Sequence, residues 1–158
     1  MTTKHGYRLA TSVGGTLTGR GGNLIIIDDP HKPEEVQSDT KRDAVIAWFQ
    51  NTLLTRLDNK KDDVIILIQQ RLHEQDLAGF LLESGNWVHL NLPAIADEDA
   101  QIPIGDNRYY DRKVGNVLHP ERESRDPLEG MQKDMGSYAY AAQYQQRPAP
   151  LGGGLIKW

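Results

Sequence analysis

The chain of 158 residues contains no cysteine. That absence excludes disulfides and Cys-ligated metals, and it fits a reducing cytosol. No apolar run approaches the ~20 residues that span a bilayer, and Met1-Thr2-Thr3-Lys4-His5-Gly6 lacks the apolar core of a signal peptide. These two absences predict a soluble cytoplasmic chain with no membrane partner. Positive charge is not in excess: 18 Lys and Arg stand against 22 Asp and Glu, for a formal net charge of -4. Such a balance argues against a dedicated nucleic-acid coat or arm, so any DNA contact has to be local. No G-x-x-x-x-G-K-[ST] phosphate loop occurs, and His73-Glu74 lacks the second histidine of a zinc helix. No internal repeat is found. With 38% hydrophobic and 25% charged residues, the composition is that of an ordinary globular domain long enough to bury a core.

What is present is organised around Gly21-Gly22-Asn23-Leu24-Ile25-Ile26-Ile27-Asp28-Asp29-Pro30. Four aliphatic residues without alternation predict a strand buried on both faces, as inside a parallel α/β sheet. Pro30 ends it by removing a ladder donor. Ligands of open α/β sheets bind at the carboxyl ends of strands, where Asp28 and Asp29 would sit. Two adjacent carboxylates there would hold a hard cation and polarise a water. In a phosphate-handling site one of them holds Mg²⁺ while the other orients or deprotonates the attacking water. The pattern is a Walker B box by type.

Upstream, Tyr7–Val13 alternates as a strand and Gly14-Gly15 turns it. Gly14 to Gly21 has the glycine spacing of a phosphate loop, but Arg20 replaces the lysine and the segment enters a strand rather than a helix, so it reads as a hairpin-like turn. Arg20 is left as a cation poised near the active edge. Beyond the polar Pro30–Glu35 connection, in which His31 reads as a surface residue, a helix is expected from Ser38 or Asp39. Its stripe of Ile46, Phe49, Leu53 and Leu57 would cover the sheet. A charged turn then leads into a second aliphatic strand, Val64–Ile68, completing a parallel crossover.

At that strand's tip, Gln69 to Gly79 places polar groups at the same sheet edge as Asp28 and Asp29. They can sense a γ-phosphate or simply cap a helix from about Glu74 to Glu83. Trp87–Leu92 reads as a third strand closed by Pro93. From Ala96 to about His119 a long irregular loop is expected, carrying the basic-aromatic cluster Arg108–Lys113. Asp126-Pro127-Leu128-Glu129 starts a helix that Gly136 breaks. A short helix then runs from Tyr138 to Tyr144, and Gln145–Gly154 unwinds as a linker.

Three blocks of this sequence together resemble the large terminase subunit of tailed phages and prophages. They are Gly19-Arg20-Gly21 leading into Leu24–Lys32, then Gln70–Gly79, then Ala142–Pro148 with Gly152-Gly153-Gly154. The blocks fall in that family's order with its approximate spacings. The resemblance implies a DNA-packaging motor of a bacterial host cell's phage, with a P-loop ATPase domain followed by a ribonuclease-H-like nuclease. By that likeness Asp28 is the Walker B carboxylate on Mg²⁺, and Asp29 takes the catalytic carboxylate position where many relatives carry Glu. Arg20 falls where terminases place an arginine that reaches a neighbouring subunit's nucleotide. Gln70, Arg71, His73 and Glu74 form the nucleotide-sensing coupling motif, in which Gln70 and Leu72 depart from the usual Thr and Trp. The implied cofactors are Mg²⁺ and ATP. The implied partners are double-stranded phage DNA, the small terminase subunit and the portal protein, with a homo-oligomeric ring for the whole motor.

The expected fold is a partial, RecA-like P-loop architecture: a mostly parallel sheet with flanking helices, then a helical segment and linker. Residues 1–95 would be the second half of the ATPase core, 96–147 the loop and helices, and 148–158 a linker towards an absent nuclease. Two rival readings remain. One is a metal-dependent nuclease binding two ions through Asp28, Asp29 and a further acid such as Asp63 or Glu74. The other is a non-catalytic interaction module using the Arg108–Lys113 loop.

Overall fold

The computed structural model describes residues 6–150. They are mixed α/β and fall into two compact units that divide between Gln69 and Gln70. The Gly152-Gly153-Gly154 part of the expected linker lies outside the described residues.

In the first unit the two aliphatic runs become strands β1 (Leu24–Asp28) and β2 (Val64–Ile68), paired in parallel from Leu24 opposite Val64 to Asp28 opposite Ile68. Helix α1 (Asp39–Asn51) lies between them in sequence, which is the connection a parallel pair requires. It starts where Ser38 leaves extended backbone, and the Ser38 carbonyl accepts the first helical bonds from Lys41 and Arg42. Arg42 is buried; its Nη1 donates to the Val36 carbonyl at 2.7 Å and its Nη2 pairs with Asp39, fixing the approach to the helix.

The stripe predicted to run to Leu57 stops being α-helical at Asn51, and Leu53–Arg56 is a 3-10 turn. Thr52 and Thr55 explain the change. Both are stiff at χ1, and the Thr55 hydroxyl donates to the Thr52 carbonyl in competition with the helix ladder. The apolar core here comes from Ile27, Val36, Val45, Phe49 and Leu53. Each such side chain stabilises the fold by roughly 1.5–3 kcal/mol on burial.

Two expectations fail in this unit. Tyr7–Val13 forms no strand and is exposed throughout, because no described strand runs beside it to take its ladder bonds. The strands, moreover, are buried on one face only: Ile27 is 4% exposed, whereas Leu24, Ile26, Val64, Ile66 and Ile68 are 41–57% exposed. An unbroken aliphatic run allows burial on both faces, but nothing among the described residues covers the second one.

The second unit opens with α2 (Leu77–Glu83), shorter than expected because Asp76 caps it and Glu74 lies outside it. The third strand predicted at Trp87–Leu92 is absent: Val88 and Leu90 stand in solvent, and no described strand pairs with the segment. The loop predicted over Ala96–His119 instead holds an antiparallel hairpin, β3 (Ala100–Pro103) with β4 (Tyr109–Arg112). Its turn puts Gly105, Asp106 and Asn107 at positive φ, a region that Gly, Asn and Asp tolerate best. Helix α3 (Arg125–Met135) starts after Ser124, two residues before the predicted Asp126 cap, and breaks at Gly136 with φ 81° as expected. Helix α4 (Ser137–Gln143) follows against it. Tyr140 and Tyr144 stack there with ring centroids 5.1 Å apart.

Candidate active site

Parallel pairing sends the carboxyl ends of β1 and β2 to one edge. Asp28 is the last residue of β1, and the ladder runs one step further, the Asp29 N–H donating to the Ile68 carbonyl at 2.9 Å. Asp29 has φ 40°, a left-handed conformation that turns the chain sharply out of the strand. Pro30 and His31 are then buried, so the chain plunges inward straight after the two carboxylates. His31, read from sequence as a surface residue, is only 7% exposed, and its position immediately behind that turn is the reason. Both aspartates are exposed, and among the described residues nothing bonds the Asp28 carboxylate.

Close contact behind the strand is set by Gly21, where a Cβ would lie 2.1 Å from Asp58 Oδ1 and 3.0 Å from the Arg56 carbonyl. Arg20 precedes it in a turn, its N–H on the Leu17 carbonyl at 3.1 Å. The Arg20 side chain is exposed and bonds none of the described residues. Asp63 sits at the other end of the unit, where it accepts from Asn23 Nδ2 at 2.8 Å. It precedes Val64, so roughly 16 Å of strand separates it from the level of Asp28. The two cannot share an ion pair site.

The second unit holds the other predicted residues. Asp76 is fully buried, and its carboxylate is the hub of the Gln70–Gly79 block. It accepts Arg71 Nε on both oxygens at 3.0 Å, the Leu72 N–H at 3.0 Å, the His73 N–H at 3.3 Å and the Gly79 N–H at 2.9 Å. Arg71 Nη2 reaches the carbonyls of His73 and Glu74 at 3.3 and 3.2 Å. Arg71 is thus held within its own loop, leaving Nη1 alone without a bond to the described residues. His73 is half-buried and its Nδ1 accepts the Gln75 N–H at 3.0 Å. Gln70 is half-buried, and Glu74 is exposed with a carboxylate that bonds none of the described residues. Gly79 is obligatory: a Cβ there would lie 1.8 Å from the Glu74 carbonyl.

The third block is no linker at its start. Gln145 brackets the backbone of one residue, its Oε1 accepting the Ile95 N–H at 3.0 Å and its Nε2 donating to the Ile95 carbonyl at 2.9 Å. Gln146, at φ 56°, accepts the Arg71 N–H at 3.1 Å, and Arg147 pairs with Asp97 at 2.8 Å. The Gln70–Gly79 and Gln145–Arg147 segments are therefore joined directly, through the Arg71–Gln146 bond.

A scan against protein-family models finds no match to this chain, and a search of curated proteins finds none either.

In the hairpin, the basic-aromatic cluster presents Tyr109 and Tyr110 to solvent. Its cations are committed. Arg112 is buried, donating to the Pro93 and Asn116 carbonyls at 2.8 and 3.1 Å; Arg108 pairs with Asp106 and Lys113 with Asp99. The Val114 N–H and the Lys113 ammonium hold the Asp99 carboxyl below the usual aspartate range, and Asp99 in turn raises Lys113. Among the described residues no three His, Asp or Glu side chains gather as a metal cage. Asp76, Gln145 and Gln146 escaped the sequence reading as working groups. The Asp76-x-x-Gly79 spacing of a capped helix was the available signal for the first; nothing local marks the other two.

Proposed function

We propose that this chain belongs to the ATPase motor of a large terminase, carrying its Walker B strand and coupling motif. The observation that supports this most is the parallel register, which leaves the unbonded Asp28 carboxylate exposed at the carboxyl edge with Asp29 beside it. Mg²⁺ fits such an edge, since it is commonly held by one or two carboxylates with waters and substrate phosphates rather than by an all-protein cage. When bound with ATP it would neutralise the phosphate charge that develops during transfer. In this reading Asp28 holds the ion and Asp29 orients the attacking water and accepts its proton. Asp29 is one methylene shorter than Glu, and the chain leaves the strand there in a turn at φ 40°. By the same likeness Arg20 would supply a guanidinium and Gln70, Arg71, His73 and Glu74 would sense the nucleotide, with Asp76 fixing Arg71 and the His73 backbone just ahead of α2. The partners are then double-stranded phage DNA, the small terminase subunit and the portal protein, around a homo-oligomeric ring in the host cytoplasm.

Phosphoryl transfer depends on positioning and charge neutralisation, and this sequence has no phosphate-loop lysine. The chain by itself is therefore expected not to hydrolyse ATP. The deciding test is binding of a fluorescent non-hydrolysable ATP analogue with Mg²⁺, by the chain alone and by a version joined to an upstream phosphate-loop segment. Binding only by the joined version, with its Mg²⁺ dependence weakened in Asp28→Asn, supports the reading. Tight binding by the short chain, or indifference to Asp28→Asn, overturns it.

A further inference from the structure

The two faces of the β1–β2 pair are unlike. Ile25, Ile27, Ile65 and Leu67 point to one face and are buried or half-buried. Alternation puts Leu24, Ile26 and Asp28 of β1 on the other face, in register beside Val64, Ile66 and Ile68 of β2. The five aliphatic side chains of that outer face are 41–57% exposed. They leave on the order of 500 Å² of contiguous apolar surface in water, a size that on single chains is often functional. Parallel sheets ordinarily have both faces covered.

We propose that a second copy of this chain covers the outer face, the two sheets packed face to face about a twofold axis that crosses the strands at the Ile26–Ile66 row. Area is the first argument. Pairing the face with itself removes on the order of 1,000 Å² from water, the threshold of a specific but modest interface. Self-complementarity is the second. The face carries one charged side chain, Asp28, and carries it at one end, so its aliphatic middle can meet its own copy, as an isologous contact requires. The axis direction follows from charge. Strands running the same way in both copies would gather both Asp28–Asp29 pairs at one end, like charges together. Antiparallel strands keep the pairs apart and bring each towards the other copy's Lys60–Lys61 turn, where both lysines are exposed and bond none of the described residues. The acids of that turn are engaged nearby, Asp62 and Asp63 by Asn59 and Asn23, with Asp58 against Gly21. This inference does not rest on the motor reading.

The test is sedimentation velocity of the full chain across a dilution series, which is expected to show a monomer–dimer equilibrium with a Kd of roughly 10–100 µM. Over the same series, the methyl resonances of Ile26, Ile66 and Ile68 are expected to move with concentration while those of Ile102 and Ile104 stay in place. Ile26→Glu puts a charge at the twofold axis and is expected to weaken the dimer at least about tenfold. Ile66→Thr keeps the β-branching that suits a strand and is expected to weaken it about threefold. Val88→Glu alters a fully exposed apolar position outside the face and is expected to leave the dimer unchanged. A chain that stays monomeric at about 300 µM, well above the expected Kd, overturns the proposal. So do growth past the dimer into larger species, isoleucine methyls indifferent to concentration, and a dimer that Val88→Glu disrupts as strongly as Ile26→Glu.

Discussion

The two units reach stability by different means. The first is held by aliphatic strands and one apolar helix stripe, and it places its polar groups at an open edge: Asp28 and Asp29 are exposed, and Asp28 is unbonded by the described residues. The second is held at its critical points by buried and half-buried polar groups, with Asp76 accepting from four residues, Arg112 gathering two carbonyls and Gln145 bracketing the backbone of Ile95. The exposed, unbonded carboxylate of Asp28 thus belongs to the first unit, where buried Arg42 serves the architecture, and the second unit's fully buried carboxylate, Asp76, is committed to architecture. An exposed, unbonded carboxylate is cheap to alter; a buried, fully bonded one is structural first.

The sharpest way to break this contrast is to remove each unit's own support. Asp76→Ala strips the Arg71 guanidinium and three backbone N–H groups of their acceptor, and loss of one partner of a buried pair typically costs ~3–5 kcal/mol. Exchange of amide hydrogens is expected to accelerate through α2 and the Arg71 loop. Phe49→Ala, at 2% exposure, is the counterpart in the first unit and is expected to cost ~3–5 kcal/mol by leaving a cavity, with faster exchange in α1, β1 and β2. Asp28→Asn, by contrast, is expected to move stability by no more than ~0.5 kcal/mol, as for other surface changes. Urea denaturation of the three variants orders them. If Asp28→Asn proved as damaging as Asp76→Ala, the division between available and committed carboxylates would be wrong.

The same contrast governs what was legible in the sequence. Leu24–Asp28 and Val64–Ile68 declare themselves by composition, and α1 by its three- and four-residue spacing, because the physics they encode is local and periodic. Exposure of Leu24, Ile26 and Ile66 was not legible, since an aliphatic run says that it can be buried, not that a covering layer exists. Trp87–Leu92 has strand composition but no neighbour, and a strand needs one. The β3–β4 hairpin was hidden by its polar residues: Gln101 and Asp111 pair across it by a side-chain bond of 2.9 Å, with little apolar alternation to notice. Asp28 and Asp29 were legible as an edge pair. The Gln146–Arg71 and Gln145–Ile95 bonds join residues 75 and 50 positions apart, a distance no local pattern can span.

A gentler probe is alkaline titration of the second unit. Burial raises the Tyr140 hydroxyl above its ordinary 10.0, with Tyr144 and Glu123 adding to the shift. An acid whose folded value is raised keeps its proton longer in the native state. Its stabilisation is complete below pH 10.0 and is lost as pH rises through the folded value. Thermal melts above that pH are therefore expected to fall less steeply in Tyr140→Phe than in the parent chain. Identical slopes would show that the ring's hydroxyl is not the group being titrated.

The smallest expected effect lies at the hairpin, where the second unit carries polar bonds in solvent rather than in its interior. Asp99 accepts the Val114 N–H and the Lys113 ammonium, both at 2.9 Å, and the folded value is lowered from 3.8 by these bonds. For a carboxyl with a lowered folded value the stabilisation is present above 3.8 and disappears as pH falls through the native value. Because the pair is fully solvated, salt screens its charged half but leaves the Val114 N–H bond in place. The Val114 amide resonance should therefore titrate below pH 3.8 at low and high salt alike, whereas the Lys113 ammonium resonance should lose its sensitivity as salt rises. In Asp99→Asn both titrations should vanish while β3 and β4 stay paired, since Gln101–Asp111 and the ladder itself do not depend on residue 99. Melting of the whole hairpin in that variant would mean that an exposed polar contact here does the structural service assigned to buried ones, and the contrast between surface and interior would have to be drawn elsewhere.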